Sequence, residues 1–498
     1  APSFDAILPA GDEESYQAKY TEVQPAADWM SEGFDDRNWQ SGAAPFGNID
    51  GVSKTIWRSR NIWMRRTFDL NTTEFSAPLL KLQYDDDVNV YLNGELIYTA
   101  GCCAGKYRLL PLTDKMKSLL KKGRNVFAIH VVNTGGGALL DVGMVQKSAP
   151  STQQIIKLAQ QKQVQINATQ TIYDFTCGTV DLKLTFTSPL LMEDLDLLAR
   201  PISYITAEVQ SNDGKVHQVL LSLGASTDLA TNTNAQQVSA KVFTANGLSL
   251  SKAGTTEQAI LKKKGDDLRI DWGYLYVATA AGKQVHQYIS DQSKPFQVNA
   301  ITQKTGKKLT LHTLVNLDAV SSKPKTQVLM LGYDDLFAVQ YFGQNLRPWW
   351  NNSGTENIEQ LLAKAWKEYP STLKKCLATN QMIRQEALKA GGEEYAALCE
   401  LAYRQSISAH KLVKSPNGET LFLSKENFSN GSINTVDVTY PSAPLFLAYQ
   451  PELLKGMLNG IFYYSESGKW TKPFAAHDLG TYPLANGQTY PEDMPVEE

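Results

Sequence analysis

Cysteine and histidine are scarce in this chain of 498 residues, with five of the first and six of the second. Cys102, Cys103, Cys177, Cys376 and Cys399 are spaced too irregularly for a disulfide framework or a zinc site, and the adjacent pair makes no CxxC motif. Buried or idle thiols are expected, with room for one bridge in an oxidising compartment. An excess of positive charge is missing too. The 48 basic residues meet 51 acidic ones, for a formal charge of -3, and no basic run interleaves with aromatics, which argues against nucleic acid as a partner. No uninterrupted apolar run approaches the roughly 18 residues of a membrane span, and the opening APSFDAILPAGDEE carries no basic and apolar leader. The expectation is a mature, soluble chain, periplasmic or secreted, with no membrane span. GxSxG, HExxH, P-loop and GxGxxG motifs are all absent, which removes the classical serine hydrolase and zinc peptidase readings. No EF-hand spacing appears, so neither a metal nor another cofactor is expected.

What is present is enough chain for several domains, since single cores stop growing at roughly 250 to 300 residues. Residues 1–148 read as short strands. In DDDVNVYLNGELIY, Val88, Val90 and Leu92 alternate with polar positions, and Asn93-Gly94 supplies a tight turn before Leu96 and Tyr98 resume the pattern. Residues 149–350 continue as antiparallel sandwich strands, with alternation in DLKLTFTS and a hairpin expected at Asp213-Gly214. Trp39, Trp63 and Asp86 read as core and turn residues, and His217, His286 and His312 as structural histidines in strands. Residues 351–390 form a helical linker: Ser353 and Glu356 have capping-box spacing, and Ile358, Leu361, Leu362, Ala365, Trp366 and Tyr369 make one apolar stripe at helical period. A further helix is predicted from about Glu393 to Val413.

Two polar stretches crowd the end of the chain, LFLSKENFSNGSINTVDVTYPSAPLFL (421–447) and IFYYSESGKWTKPFAAHDLGTYPLANGQTYPEDMPVEE (461–498). Their Gly and Pro breaks suit neither a helix face nor a strand, and polar loops of this length usually carry function on a rigid scaffold. Amide hydrolysis needs a base, a proton for the departing ammonia and donors for the oxyanion. The loops hold all three types. The catalytic candidates are Asp437, Glu466, Asp478, Glu492 and Asp493; the substrate-binding candidates are Lys425, Glu426, Asn430, Asn434, Lys469, Trp470, His477 and Tyr482. The same carboxylates could serve glycoside hydrolysis, which needs two facing each other. Each also has a structural reading as a cap, a brace or a filler between helices, and His410 reads as a core or surface residue. Adjacent His477 and Asp478 are expected to point apart if the segment is extended. Asp437 and Glu466 are expected to share one cleft.

The segments WMSEGFDDRNWQSGAAPFG, IWMRRTFDL and KKGRNVFAIHVVNTGGGALLDVG resemble the jelly-roll, sugar-binding-like domain at the N-terminus of many glycoside hydrolases. EEYAALCELAYRQSISAHKLV, followed by the two polar stretches, resembles the helical catalytic domain of the glutaminase A family. The resemblance covers essentially the whole chain and is strongest after about residue 391. It implies a multidomain protein, β plus α: an N-terminal jelly roll, an antiparallel β-sandwich, and in residues 391–498 the first part of an α/α six-hairpin toroid. It also implies hydrolysis of a glutamine-type side-chain amide, in a small molecule or a peptide, to carboxylate and ammonia. A glycoside hydrolase using paired carboxylates in such a toroid, and a noncatalytic binding protein, stay open as alternatives. Family members continue past the EDMPVEE stretch with a Cys-Gly-Asn-Met sequence and further hairpins. The resemblance therefore implies a second polypeptide, the C-terminal part of the same precursor, carrying the remaining helices. A cut after Glu498 would free that cysteine as an N-terminal nucleophile with its own amine as base, so autoprocessing and plain truncation are the two expectations for this junction.

Overall fold

The computed structural model describes residues 4–49, 51–102, 104–147, 157–265, 268–293, 298–426 and 431–488. They fall into two compact units, Ala1–Ile156 with Thr233–Ala235, and Lys157–Asn232 with Gln236–Glu498.

The first unit is two six-stranded sheets closed over one apolar core. Strands Asn61–Leu70 and Gly123–Val132 pair along their whole length at the centre of one sheet, and Pro78–Asp85 pairs with Leu139–Lys147 in the other. Trp57, Phe46, Ile62, Tyr84, Phe127 and Leu140 fill the space between. The alternation around Asn93 folds as its pattern requires. Strands Asp87–Leu92 and Glu95–Ala100 pair through a turn in which Asn93 and Gly94 take φ of 51° and 93°, the left-handed geometry of a two-residue hairpin. Trp63 stacks on His130 with ring centroids 4.5 Å apart, Trp39 lies in an aromatic group with Trp29 and Phe34, and Asp86 accepts from the Thr134 amide at 2.7 Å. Packing and a turn account for all three. Cys102 is disulfide-bonded, whereas Cys177, Cys376 and Cys399 are free thiols.

The second unit is built on a nine-stranded antiparallel sheet with a three-stranded sheet, Val285–Asp291, Leu309–Val320 and His217–Ser226, against part of one face. Ala240, Ala253, Val277, Ile289 and Leu311 pack between the two. The expected hairpin at Asp213-Gly214 is not one. The turn is real, with Gly214 at φ 76° and Asp213 accepting from the Lys215 amide at 2.9 Å. However, it carries the chain from strand Ile202–Ser211 in the large sheet to strand His217–Ser226 in the small one. Turn chemistry specifies a reversal; which strand becomes the neighbour depends on faces that must be buried elsewhere.

A long helix, Ile358–Ser408, covers the other face of the large sheet. Its cap is Asn357, whose side chain accepts from the Glu359 and Gln360 amides at 2.9 and 3.1 Å, so the expected Ser353/Glu356 box is displaced by a few residues. Ser353 bonds Thr355 instead. The predicted stripe holds: Ile358, Leu362 and Ala365 bury against Tyr204, Leu250, Tyr276 and Met330, with Leu361, Trp366 and Tyr369 partly buried beside them. Gly332 leaves the room, since a Cβ there would sit 3.3 Å from a Leu362 methyl. Polar staples extend the attachment. Asn380 accepts from the Thr169 amide at 2.8 Å, Tyr403 donates to the Leu190 carbonyl at 2.6 Å, and Arg404 donates to the Gln170 carbonyl at 2.9 Å.

Gly392, at φ 80°, breaks this helix, and it ends at Ser408 rather than Val413. His410–Lys414 is instead a strand, paired with Thr420–Ser424. Two more helices follow, Val436–Tyr449 and Pro451–Glu466. The first runs through Pro441 and Pro444, where no helix was expected. Each proline removes one backbone bond, and the helix buries Thr439 and Phe446. Among the described residues no helix is long and apolar enough to cross a membrane.

His410 lies in the core beneath these helices. Its ring stacks on Phe422 at 4.3 Å and meets Phe446 edge-on at 5.5 Å, and Nδ1 faces the Ser406 carbonyl at 2.6 Å. Nε2 is buried without a partner among the described residues. Burial pushes the His410 pKa down from 6.5 to about 4, against the opposing pull of the Ser406 carbonyl. The folded state excludes a proton that the unfolded chain accepts, so stability is lost as pH falls from 6.5 to about 4. Over that window the term amounts to about 2–3 kcal/mol. His410→Phe keeps the stacking and removes the titration, and urea denaturation at pH 7 and pH 4 should show a smaller acid loss in the variant. Parallel losses in the two proteins would count against a buried neutral histidine. At the sheet, Leu362→Ala should cost about 2–5 kcal/mol by the same measurement. Leu377→Ala, at a residue 51% exposed on the same helix, should cost under about 1 kcal/mol; equal costs would contradict the packing of this helix.

Candidate functional site

The two polar stretches meet. Segments 431–436 and 477–482 are zipped by backbone bonds: Ile433 donates to Gly480, Leu479 to Ile433, Tyr482 to Gly431, and Val436 to His477, at 2.7 to 2.9 Å. Lys425 and Ile433 form a bridge within the first stretch, and Asn434 donates back to the Ser424 carbonyl at 2.9 Å. Asn434 tolerates the left-handed φ of 58° that this path requires, and its Nδ2 donates to the Met457 carbonyl at 3.0 Å, which ties the zipped loops to the Pro451–Glu466 helix. Gly480, at φ 130°, closes the second stretch where a Cβ would lie 2.3 Å from the Leu484 carbonyl oxygen.

This zip decides where the candidate residues stand. Asp478 and Asn434 are buried, and Tyr482 is buried against Trp272 with ring centroids 6.4 Å apart. Lys425 donates to the Leu268 carbonyl at 3.0 Å, with its ammonium 5.0 Å from the Tyr482 ring centroid. Glu426 accepts from the Thr435 hydroxyl at 3.2 Å. His477 and Asp478, expected to point apart, are bonded to each other, Nδ1 to Oδ2, at 2.8 Å. The alternation of an extended strand does not apply, because the chain bends here and Gly480 donates to Asp478 Oδ1 at 2.7 Å.

Glu426, His477, Asp478 and Asp437 thus gather around the start of the Val436–Tyr449 helix. Asp437 is exposed in its first turn. Glu466 is exposed at the last residue of the Pro451–Glu466 helix, and neither carboxylate makes an ion pair among the described residues. Trp470 packs on Tyr464 and donates to the Phe474 carbonyl at 2.5 Å, closing the end of that helix. Lys469 is exposed, 5.8 Å from the Phe342 ring centroid. Asn430, Glu492 and Asp493 lie outside the described residues. No group of three or more His, Cys, Asp or Glu side chains is placed to hold a metal ion among those described.

A charged group from the sandwich, not singled out in the sequence, lies under Tyr482. Asp335 pairs with Lys411 at 3.1 Å, and fully buried Asp271 pairs with Lys263 at 2.6 Å and accepts from Gln236 at 2.7 Å. Burial alone would lower the Lys411 pKa, but Asp335 and Tyr482 beside it outweigh burial and raise it. The Tyr482 pKa is raised by burial and by Asp335 and Asp271, with Lys411 opposing. Asp271 and Trp272 sit in LRIDWGYLYVATA, which reads as plain strand; nothing in its pattern signals the loops it meets. Thr435 was also missed, although a threonine two residues before Asp437 is a helix-start signal.

These residues fall within ranges matched by known domains. Residues 392–498 match the glutaminase A six helical-hairpin domain, and residues 169–386 match a domain of unknown function, DUF5127. Glutaminase A of Aspergillus oryzae (strain ATCC 42149 / RIB 40) is 29% identical over 374 residues, which cover 68% of this chain and 51% of that protein. A protein of Arthroderma benhamiae named "Probable glutaminase" is 37% identical over 123 residues, 24% of this chain and 14% of its own length. This chain therefore spans about half the length of the first relative and less of the second. A glycosyl hydrolase family 2 member from Bacteroides cellulosilyticus aligns with a TM-score of 0.23 at 10% identity, over 68% of this chain and 33% of that one. A likeness at that TM-score carries no argument about the reaction. With these two matched domains in this order, the chain is similar to glutaminase A, and residues 392–498 carry the match to its six helical-hairpin domain.

Proposed function

We propose that this chain is part of a glutaminase-like amidohydrolase, hydrolysing a glutamine-type side-chain amide to carboxylate and ammonia. One observation carries the reading: the matched glutaminase A hairpin domain spans the zipped loops and the helix start where Glu426, Asp437, His477 and Asp478 gather. Carboxylates and an imidazole supply proton acceptors and donors. The first-turn amides of the Val436–Tyr449 helix supply donors for an oxyanion, and the helix dipole favours negative charge at the same place. Lys425 and Lys469 are proposed to orient the substrate, and buried Tyr482, placed by sequence among the substrate-binding residues, instead lies under the Lys425 ammonium. The disulfide at Cys102 supports a periplasmic or secreted setting.

The complete protein, incubated with glutamine, a glutaminyl peptide and a panel of oligosaccharides, should release ammonia from an amide and no reducing sugar. Reducing sugar without ammonia would instead favour a glycoside hydrolase using the exposed carboxylates.

The partner proposed for this chain is the set of further hairpins of the same precursor. The helices expose Tyr440 (83%), Leu447 (61%) and Phe462 (53%), more apolar surface than a finished helical layer leaves in water. Replacing Leu447 with Lys should change the stability of the 498-residue chain by under about 0.5 kcal/mol, while lowering the yield of active complete protein several-fold. Unchanged yield would remove this face as a covered one, and a denaturing gel of the same preparation shows whether the hairpins arrive on one polypeptide or two.

A further inference from the structure

Beside the zipped loops three buried polar atoms have no hydrogen-bond partner among the described residues: His410 Nε2, Ser424 Oγ and Asn434 Oδ1. They belong to one row. His410 stands opposite Ser424 in the strand pair His410–Lys414 and Thr420–Ser424. On the other side of Ser424, the antiparallel bridge of Lys425 to Ile433 and the bond from the Asn434 amide to the Ser424 carbonyl, at 2.9 Å, set Asn434 opposite it. Opposed residues of adjacent antiparallel segments put their side chains on one face, with Cβ atoms about 4.5–5.5 Å apart. Contacts show which face. The His410 ring lies against Phe422 and Phe446, Asn434 Nδ2 donates to the Met457 carbonyl at 3.0 Å, and Phe422, Phe446 and Met457 share one apolar cluster. Ser424 stands between the two in the row, and both it and Asn434 are 1% exposed.

The neighbours of each group fix what it can do. The Ser406 carbonyl can only accept, so His410 carries its proton on Nδ1 and a lone pair on Nε2. The Met457 carbonyl in the same way assigns the donor end of the Asn434 amide to Nδ2 and leaves Oδ1 an acceptor. The Ser424 hydroxyl can give or take. Buried groups of this kind are satisfied in native interiors by protein or by an ordered small molecule, and a buried water typically makes about three such bonds.

We infer that His410, Ser424 and Asn434 form an internal site for one small neutral molecule, which donates to Nε2 and to Oδ1 and accepts from the Ser424 hydroxyl. Two sources have that chemistry, solvent water and the ammonia that amide hydrolysis releases. The site stands on the three atoms themselves; ammonia as its guest rests on the amidohydrolase reading. A bond donated to Nε2 holds the imidazole neutral, the direction in which burial already drives His410.

High-resolution diffraction from the complete protein should show one molecule within hydrogen-bond distance of all three atoms. Ser424→Val removes the hydroxyl and fills its space. Oxygen-17 relaxation should then count one long-lived water fewer than in the parent, and the nitrogen-15 signal of His410 Nε2 should move toward that of an unbonded nitrogen. An ammonium salt at alkaline pH, with the potassium salt as control, separates the sources: a move of the Nε2 signal with ammonium alone identifies ammonia as a guest, and no move identifies water. If Ser424→Val does not fold, the parent's diffraction map and Nε2 signal decide. A complete protein that releases no ammonia from any amide removes the ammonia source and leaves the site. Three atoms that face different neighbours with no shared molecule, or equal water counts in the parent and a folded Ser424→Val, overturn the inference.

Discussion

The attachment of one helix face to one sheet face sets the position of everything downstream. Ile358, Leu362 and Ala365 can leave water only against Tyr204, Leu250, Tyr276 and Met330, and Asn380, Tyr403 and Arg404 then hold the same helix to carbonyls and side chains at the other end of the sheet. Contacts on either side of the Gly392 break give each helical segment its own anchor. The strand pair after Ser408 therefore starts from a defined place, and Lys411 reaches Asp335 of the sandwich.

Built on that base, the site is a matter of backbone pairing more than of side-chain attraction. Segments 431–436 and 477–482 contain few residues that prefer a strand, yet they exchange main-chain bonds next to a helix start. Each unpaired amide in such a loop would otherwise have to be solvated or left costly inside the protein. Satisfying them against each other buries Asn434, Thr435 and Asp478 while Glu426 and His477 keep contact with solvent. Fixed orientation and partial access coexist because they fall on different residues.

The sandwich takes part in this arrangement rather than serving as a distant support. Trp272 donates to the carbonyls of Asp335 and Phe337 and lies against Tyr482, and Gly431 passes so close to Gly265 that a Cβ would come within 2.4 Å of its carbonyl oxygen. Opposite charges, Asp271 with Lys263 and Asp335 with Lys411, are paired beneath that contact, as buried charges must be. The helical loops owe their shape to strands more than a hundred residues earlier.

Periodicity and turn chemistry, both local, were legible in the residues themselves. The Val88, Val90, Leu92 alternation with its Asn93-Gly94 turn, the Ile358 to Tyr369 stripe, and the polar character of the last two stretches each follow from spacing of two or about 3.6 residues or from a backbone preference. The string of residues from Glu393 onward was also enough to indicate the family. Partner choice was not legible, because it depends on which buried faces and unpaired amides are left when the chain is compact. The Asp213-Gly214 turn crosses between sheets, Pro441 and Pro444 lie inside a helix, His410 opens a strand instead of ending a helix, and His477 bonds the aspartate next to it. At Pro441 and Pro444 burial of Phe446, and at His477 the pairing of segments 431–436 and 477–482, go with a departure from a local preference worth about 1–3 kcal/mol. Residue identity thus determined which groups were available for chemistry, and only the folded backbone decided which of them would face one another.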